Sequence, residues 1–201
     1  MKEEEIRKRR AFNSYLKIVA KDAGEFFDFS SFTAIHCHAC NSSSNIFEFE
    51  KLGFRYVSCK NCSTLFVSPR PNFETIKRFY SKSRSADFFV NQFFKPVAEA
   101  RREKIFKPRV EYLSKVLRGN KRLVIGDIGA GFGLFLEEFK KRMPGNRYIC
   151  IEPSLEMAEV CRKKKLEVKS MCLEDMDSYE QDFDLLTSFE LIEHLHNPVS
   201  F

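Results

Sequence analysis

Apolar residues recur along the chain with two periods. Near the N-terminus, Phe12, Tyr15, Leu16 and Val19 follow helical spacing and Gly24 supplies a stop, which predicts a helical lead-in over residues 1–33. Shorter β-type runs follow at Asn45 to Glu50 and Phe54 to Ser58, and Pro69 and Pro71 then punctuate the chain. Helical spacing returns over residues 71–120. Asn72 is placed to cap a helix with Phe73, Ile76, Phe79 and Tyr80 on one face. Val110, Leu113, Val116 and Leu117 form a second stripe ending at Gly119, with Pro96 and Pro108 as expected breaks.

From Lys121 the pattern alternates. Leu123 to Asp127 reads as a buried strand and Leu134 to Met143 as a helix with Leu136, Phe139 and Met143 on one face. Tyr148 to Glu152 is the second strand. Ser154 is placed to cap a helix whose Met157, Val160 and Cys161 face inward. Glu167 to Cys172 and Phe183 to Phe189 read as third and fourth strands. Strands alternating with helices imply an α/β fold with a Rossmann-like parallel sheet. A small module at 34–70 and a helical linker at 71–120 precede the sheet domain at 121–201.

Composition narrows the class. The 201-residue chain is 43% hydrophobic, enough for a globular core. Phenylalanine is common at 22 while tryptophan is absent, which reads as aromatic core filling. The formal net charge is +6, and basic residues cluster at Lys2 to Arg10 and Arg101 to Arg122. Four metal-bound thiolates and a divalent ion would leave roughly +4, too little to argue for nucleic acid by itself. No run of 18 apolar residues is present, and the charged N-terminus lacks the apolar core of a signal peptide, so the expected location is cytoplasmic.

Cysteines carry the first chemical signal. Cys37-x-x-Cys40 and Cys59-x-x-Cys62 are separated by 18 residues, inside the range of zinc ribbons. Two tight turns that each aim two sulfurs at one point give closed tetrahedral thiolate coordination, which serves structure and leaves no open catalytic position. A redox dithiol would need only one pair; His36 and His38 flank Cys37 and are alternative ligands or neighbours that support the sulfurs. Seven cysteines, an odd number with four in metal spacing, argue against a secreted disulfide framework. Cys150, Cys161 and Cys172 fall on strand or helix core positions and read as small buried hydrophobes.

The second signal is Asp127-Ile128-Gly129-Ala130-Gly131-Phe132-Gly133, between a strand and a helix. Glycines there let the backbone approach a ligand and turn amides toward it. The dinucleotide fingerprint would need glycine at position 134, which is Leu134. Glu152 ends the second strand, where an acid accepts hydrogen bonds from ribose hydroxyls; that role suits NAD and S-adenosylmethionine alike.

Together with Ile151-Glu152-Pro153-Ser154, Leu173-Glu174-Asp175 and Phe189-Glu190-Leu191-Ile192-Glu193-His194-Leu195-His196-Asn197-Pro198, this run resembles the successive motifs of class I S-adenosylmethionine-dependent methyltransferases. Cys37 to Tyr80 resembles the cysteine-rich leader of a bacterial subset that includes sugar methyltransferases. The resemblance implies that Asp127 and the backbone of Gly129 and Gly131 hold the methionine part of S-adenosylmethionine, with Ala130 and Gly133 also in the cofactor site. It implies that Glu152 binds the ribose, that Pro153 lies beside the adenine, and that Leu173 with Glu174 or Asp175 flanks it. Phe189 and Glu190 would close the site. It implies a structural zinc on Cys37, Cys40, Cys59 and Cys62.

Methyl transfer mainly needs donor and acceptor positioned and water kept out, with a general base only where the acceptor loses a proton. His194 and Glu193 are the candidates for that base, with His194 favoured as an imidazole; the alternative readings are a structural bridge after the fourth strand, or with His196 a metal set. A complete domain of the resembled class continues with three more strands, so the sequence reads as truncated after the fourth, with an exposed edge. The expected acceptor is a sugar, sugar nucleotide or other small hydroxylated molecule. The alternatives are a zinc-ribbon RNA methyltransferase and a non-catalytic cofactor-binding or interaction fragment.

Overall fold

The computed structural model of the chain describes residues 3–6, 8–119, 122–172, 175 and 182–199. Among these residues the fold divides into two units. One is built on Val97–Leu195 with the short helix α1 (Glu3–Ile6); the other holds residues 8–96 and 196–199.

The cysteine-bearing unit opens with α2 (Arg9–Phe26). A three-stranded antiparallel sheet follows, with β1 (Asn45–Lys51), β2 (Phe54–Cys59) and β3 (Leu65–Val67) in that spatial order. β3, three residues long, is too short for a pattern to announce it. Helix α3 (Phe73–Lys82) starts where the Asn72 side chain accepts the Thr75 amide at 2.9 Å. Helix α4 (Arg84–Phe88) is capped in the same way by Ser83. Asp22, wholly buried, accepts the Ser85 amide at 2.6 Å and faces Arg84, tying α2 to α4.

With β1 exposed along its whole length and β3 only three residues long, the sheet buries little surface, and the phenylalanine rings supply the core. The rings of Phe27, Phe29, Phe32, Phe54 and Phe79 meet at centroid distances such as 5.1 Å for Phe27 with Phe54 and for Phe27 with Phe79. Phe12, Tyr15, Phe89 and Phe93 form a second cluster between α2 and a π-helical turn at Phe89–Phe94. Tyr80, expected on the inward face of α3, is instead exposed, because the ring of Phe79 already occupies that side.

In the sheet-bearing unit, α5 (Ala98–Arg101), a π-helical turn (Arg102–Phe106) and α6 (Lys107–Val116) run on one from the next. Pro108 follows the π-helical turn directly, so its missing N–H falls where the helix changes from π to α hydrogen bonding, and the helical run continues through it. Val110 is buried and Leu113 and Leu117 pack against the core, but Val116 is exposed and leaves the expected stripe. The stretch read as a single linker over 71–120 is thus divided, with α3 and α4 packed in the cysteine unit and the helices from Ala98 onward in the sheet unit.

The sheet is parallel throughout. β4 (Val124–Ile128), β5 (Arg147–Ile151), β6 (Glu167–Lys169) and β7 (Leu185–Ser188) stand in the order β6-β5-β4-β7. Helices α7 (Leu134–Arg142) and α8 (Leu155–Lys163) follow β4 and β5. On one face Ile125, Tyr148 and Cys150 pack with Val110, Phe135, Leu136, Phe139 and Cys161. On the other, Ile128, Ile149 and Ile151 meet Met171, Phe183 and Leu191. Cys150 and Cys161 are fully buried as expected of small hydrophobes; Cys172 is only half-buried because β6 ends at Lys169, short of the expected strand. Among the described residues β7 is an edge, and its Leu186 is 47% exposed.

Arg102 fastens the helical stretch to α7, meeting Glu99, Glu137 and Glu138 at 2.9, 2.9 and 2.5 Å, with Lys164 on Glu137 as well. Tight packing at the start of α7 depends on Gly133, whose φ is +66°. A Cβ there would meet Cys161 Sγ at 2.8 Å and Leu166 Cδ1 at 2.9 Å. Gly133→Ala is therefore expected to destabilise this unit by about 2–4 kcal/mol, from overpacking plus left-handed strain, read as a lower urea midpoint.

Candidate functional site

The strand order places the switch in connection direction at β4, between β5 and β7, and crevices for ligands form at the carboxyl ends of strands there. The candidate residues at those ends come together. β4 gives way to Gly129–Gly133, whose backbone is pinned from behind. The Gly129 amide donates to the Ile151 carbonyl at 2.9 Å and the Gly133 amide to the Ala130 carbonyl at 2.9 Å. The Cys161 thiol donates to the Gly131 carbonyl at 3.2 Å. Gly129 and Gly131 have φ of +70° and +55°, and a Cβ on Gly131 would project into open space.

Glu152 follows β5 directly and is 5% exposed. One carboxylate oxygen accepts the Gly131 amide at 2.8 Å, the other the Ser154 amide at 2.9 Å. Burial raises its pKa, and the two amides only partly offset that. Asp127, in β4, is 3% exposed and accepts the Thr187 hydroxyl of β7 at 2.7 Å. Burial pushes its pKa up to about 7; the Thr187 hydrogen bond pulls down, the Glu152 charge pushes up, and the Arg109 charge pulls down. Two acids held out of water beside a glycine turn favour ligands that bring hydroxyl donors or a cation.

The segment after β7 runs against this loop. Leu191 packs on Gly129, its Cδ1 3.2 Å from where a Cβ would stand. The Phe189 ring meets Phe135 edge-on at 4.9 Å, and the Arg109 guanidinium lies 4.3 Å from the Phe189 centroid. Arg109 Nη1 is buried with no hydrogen-bond partner. Glu190, at φ +55°, is exposed and pairs with Arg101 at 3.1 Å. Glu193 and His194 lie on a 3-10 turn (Ile192–His194) and are exposed. Pro153 and Asp175 are exposed as well, while Leu173 and Glu174 lie outside the described residues.

Arg101 and Arg109 escaped the sequence reading, where both counted only as part of a basic cluster. Nothing local marks them; their proximity to Phe189 and Glu190 exists only once the helices fold back on the sheet. Glu193, His194 and His196 do not form a metal set: among the described residues, the one converging group of three or more such donors is Cys37, Cys40, Cys59 and Cys62.

The two cysteine turns have the same build. Cys37 N donates to Ser42 O at 2.9 Å and Asn41 N to Cys37 O at 2.8 Å; Cys59 N donates to Thr64 O and Ser63 N to Cys59 O, both at 2.9 Å. Asn41 and Ser63, each following the second cysteine of its pair, have φ of +58° and +61°. The four sulfurs lie within 4.8 Å of one another, with Cys37 and Cys62 at 3.6 Å and Cys40 and Cys59 at 3.5 Å. A tetrahedral ion with metal–sulfur bonds of about 2.3 Å sets its sulfurs about 3.8 Å apart, so this donor set fits one. The hydroxyl and backbone amide of Thr64 bring the Cys62 thiol down to about 6, favouring the thiolate that a metal needs. His36 and His38 are outside the set. One thiophilic divalent ion per chain is the expected result of elemental analysis. Cobalt substitution should give thiolate charge-transfer absorption, lost in Cys59→Ser together with several degrees of thermal stability.

A family model for a methyltransferase domain matches residues 97–201, just over half of the chain. Over 99 residues, 46% of the chain, the sequence is 31% identical to a ubiquinone biosynthesis O-methyltransferase of Alkalilimnicola ehrlichii, covering 39% of that protein. Solved structures of the plantazolicin methyltransferase BpumL, one in complex with SAH and one with a monoazolic desmethylPZN analog and SAH, match 62% of the chain. Their TM-scores are 0.50 and 0.51 and their identities 16% and 17%, a likeness of fold. The chain spans 39% of the curated relative and 49% of BpumL.

Proposed function

The chain belongs to the methyltransferase-domain family, and from that premise we propose that it takes part in S-adenosylmethionine-dependent methyl transfer to a small hydroxylated acceptor, a sugar or sugar nucleotide. The observation that carries the cofactor assignment is the pair of buried acids, Asp127 and Glu152, on either side of the glycine turn. Asp127 and the backbone of Gly129 and Gly131 would hold the amino-acid part of the cofactor, with the Gly131 amide released from Glu152 as the free donor, and Arg109 would meet its carboxylate. Glu152 would take the ribose hydroxyls, exchanging its hydrogen bond from Gly131 for theirs. Pro153, Leu173 and Glu174 or Asp175 are assigned to the adenine, and Phe189 with Glu190 to the closing wall. When bound, S-adenosylmethionine supplies a methyl group on a sulfonium centre, reactive enough that the protein's share is orientation and exclusion of water. His194, with Glu193 beside it, is assigned to receive the acceptor's proton. Cys37, Cys40, Cys59 and Cys62 are assigned a structural zinc.

A second reading, an RNA acceptor, draws on β1 and β2, where Phe47 and Phe49 are exposed, Phe49 stacks on Tyr56 at 4.7 Å and Arg55 lies over Phe47. Affinity for single-stranded RNA that falls steeply with salt would favour it; no binding at low salt would end it.

Calorimetric titration of the zinc-replete chain with S-adenosylhomocysteine is expected to give micromolar binding, with none for NAD at the same concentrations. Glu152→Gln and Arg109→Gln, checked for unchanged circular dichroism, are each expected to weaken it about tenfold or more. Absence of binding by the folded chain would refute the cofactor assignment. The raised pKa of Asp127 adds a sign. A bound ammonium favours the carboxylate, so binding releases a proton below about pH 7. Affinity should rise from pH 6 to pH 8 and then level off, and Asp127→Asn should abolish that rise. In the free chain the same shift works the other way. Asp127 contributes stability in full below the ordinary carboxyl range, and it is lost as pH rises toward about 7.

A further inference from the structure

The cysteine unit holds a cavity of about 240 Å³ lined by Thr33, Ile35, Arg70, Pro71, Asn72 and His196. Its backbone is braced: Thr33 and Arg70 exchange both amide–carbonyl hydrogen bonds at 3.0 Å. The Arg70 guanidinium is half-buried, and its one hydrogen bond goes to a neutral acceptor, the His196 carbonyl at 2.5 Å. The edge of the His196 ring rests on Phe73 at 5.8 Å. His38, within reach of the charges of Arg70 and His196, has its Nε2 buried with no hydrogen-bond partner.

Arg70, like Arg109, has no carboxylate partner among the described residues, whereas other arginines of this protein are paired. Arg84 meets Asp22 and Glu25, Arg101 meets Glu190, and Arg102 meets three glutamates. Among the described residues no carboxylate pairs with Arg70. A guanidinium taken partly out of water without a counter-charge costs stability, and a fork of N–H donors in a cavity matches the two oxygens of a carboxylate or phosphate.

We propose that this cavity is an oxyanion-binding site, taking a phosphate or carboxylate group with Arg70 as the charged anchor and Thr33 and His196 as flanking hydrogen-bonding groups. That the oxyanion belongs to the methyl acceptor, as the diphosphate of a sugar nucleotide would, rests on the methyl-transfer reading; binding of the anion itself does not.

The test is titration of the full zinc-replete chain, at low ionic strength, with inorganic phosphate, uridine diphosphate and acetate in turn. Saturable binding of at least one is expected. It should weaken about tenfold or more in Arg70→Gln, while Arg10→Gln, on the exposed surface of α2, leaves it unchanged. Affinity for S-adenosylhomocysteine should be the same in Arg70→Gln as in the parent chain. Uridine diphosphate binding more tightly than phosphate supports a phosphorylated ligand; acetate binding as well as phosphate supports a carboxylate. No saturable binding of any probe up to about 10 mM, or binding unaltered in folded Arg70→Gln, overturns the site. Should Arg70→Gln fail to fold, His196→Gln serves, with several-fold weakening expected and no change decisive against the proposal. Oxyanion binding without S-adenosylhomocysteine binding would strike the methyltransferase reading alone.

Discussion

The candidate cofactor site depends on one hydrogen bond, from the amide of Gly131 to the carboxylate of Glu152. It joins the turn after β4 to the end of β5 and holds an acid out of water at the point where the strand order reverses. The surroundings exist to make that contact possible. Parallel pairing sets Asp127 level with Cys150 on one side and Thr187 on the other. Gly133 allows Cys161 and Leu166 to press against the start of α7, and Cys161 in turn holds the Gly131 carbonyl. A buried carboxylate satisfied only by main-chain amides is easily persuaded to exchange one of them for a ligand hydroxyl. Structural support and ligand affinity therefore draw on the same atoms.

The cysteine unit solves a different problem. Its β1 is exposed along its whole length and β3 is only three residues long, so clustered phenylalanines and a converging thiolate set supply the core. The two cysteine turns repeat the same hydrogen bonds and the same left-handed residue, so both sulfur pairs are aimed at one point. Arg70 is the departure from this economy, a cation held in a cavity without a counter-charge.

Much of this was legible in the sequence because the signals are local. Hydrophobic period separated helices from strands; Asn72 and Ser154 marked helix starts that the structure caps with those side chains. The cysteine spacing announced a converging set, and the glycine run announced a turn between strand and helix. What was not legible depends on long-range packing. Arg101 and Arg109 look like any basic residues of a helical stretch until the chain folds back over Phe189 and Glu190. The division of the helical stretch near Pro96, the exposure of Val116 and Tyr80, and the early end of β6 that leaves Cys172 half-buried all follow from which surface each helix or strand meets, and no periodicity encodes that. Leu173 and Glu174, which the resemblance assigns to the adenine, lie outside the described residues.

The glycine turn is where the proposed cofactor would meet the backbone, and eight glycines make that directly observable by selective nitrogen-15 labelling. On addition of S-adenosylhomocysteine, the amide resonances of Gly129 and Gly131 should move most and that of Gly133 less, while Gly24 and Gly53 of the cysteine unit stay in place. Glycine resonances that do not move at saturating ligand, or that move only in the cysteine unit, would contradict it.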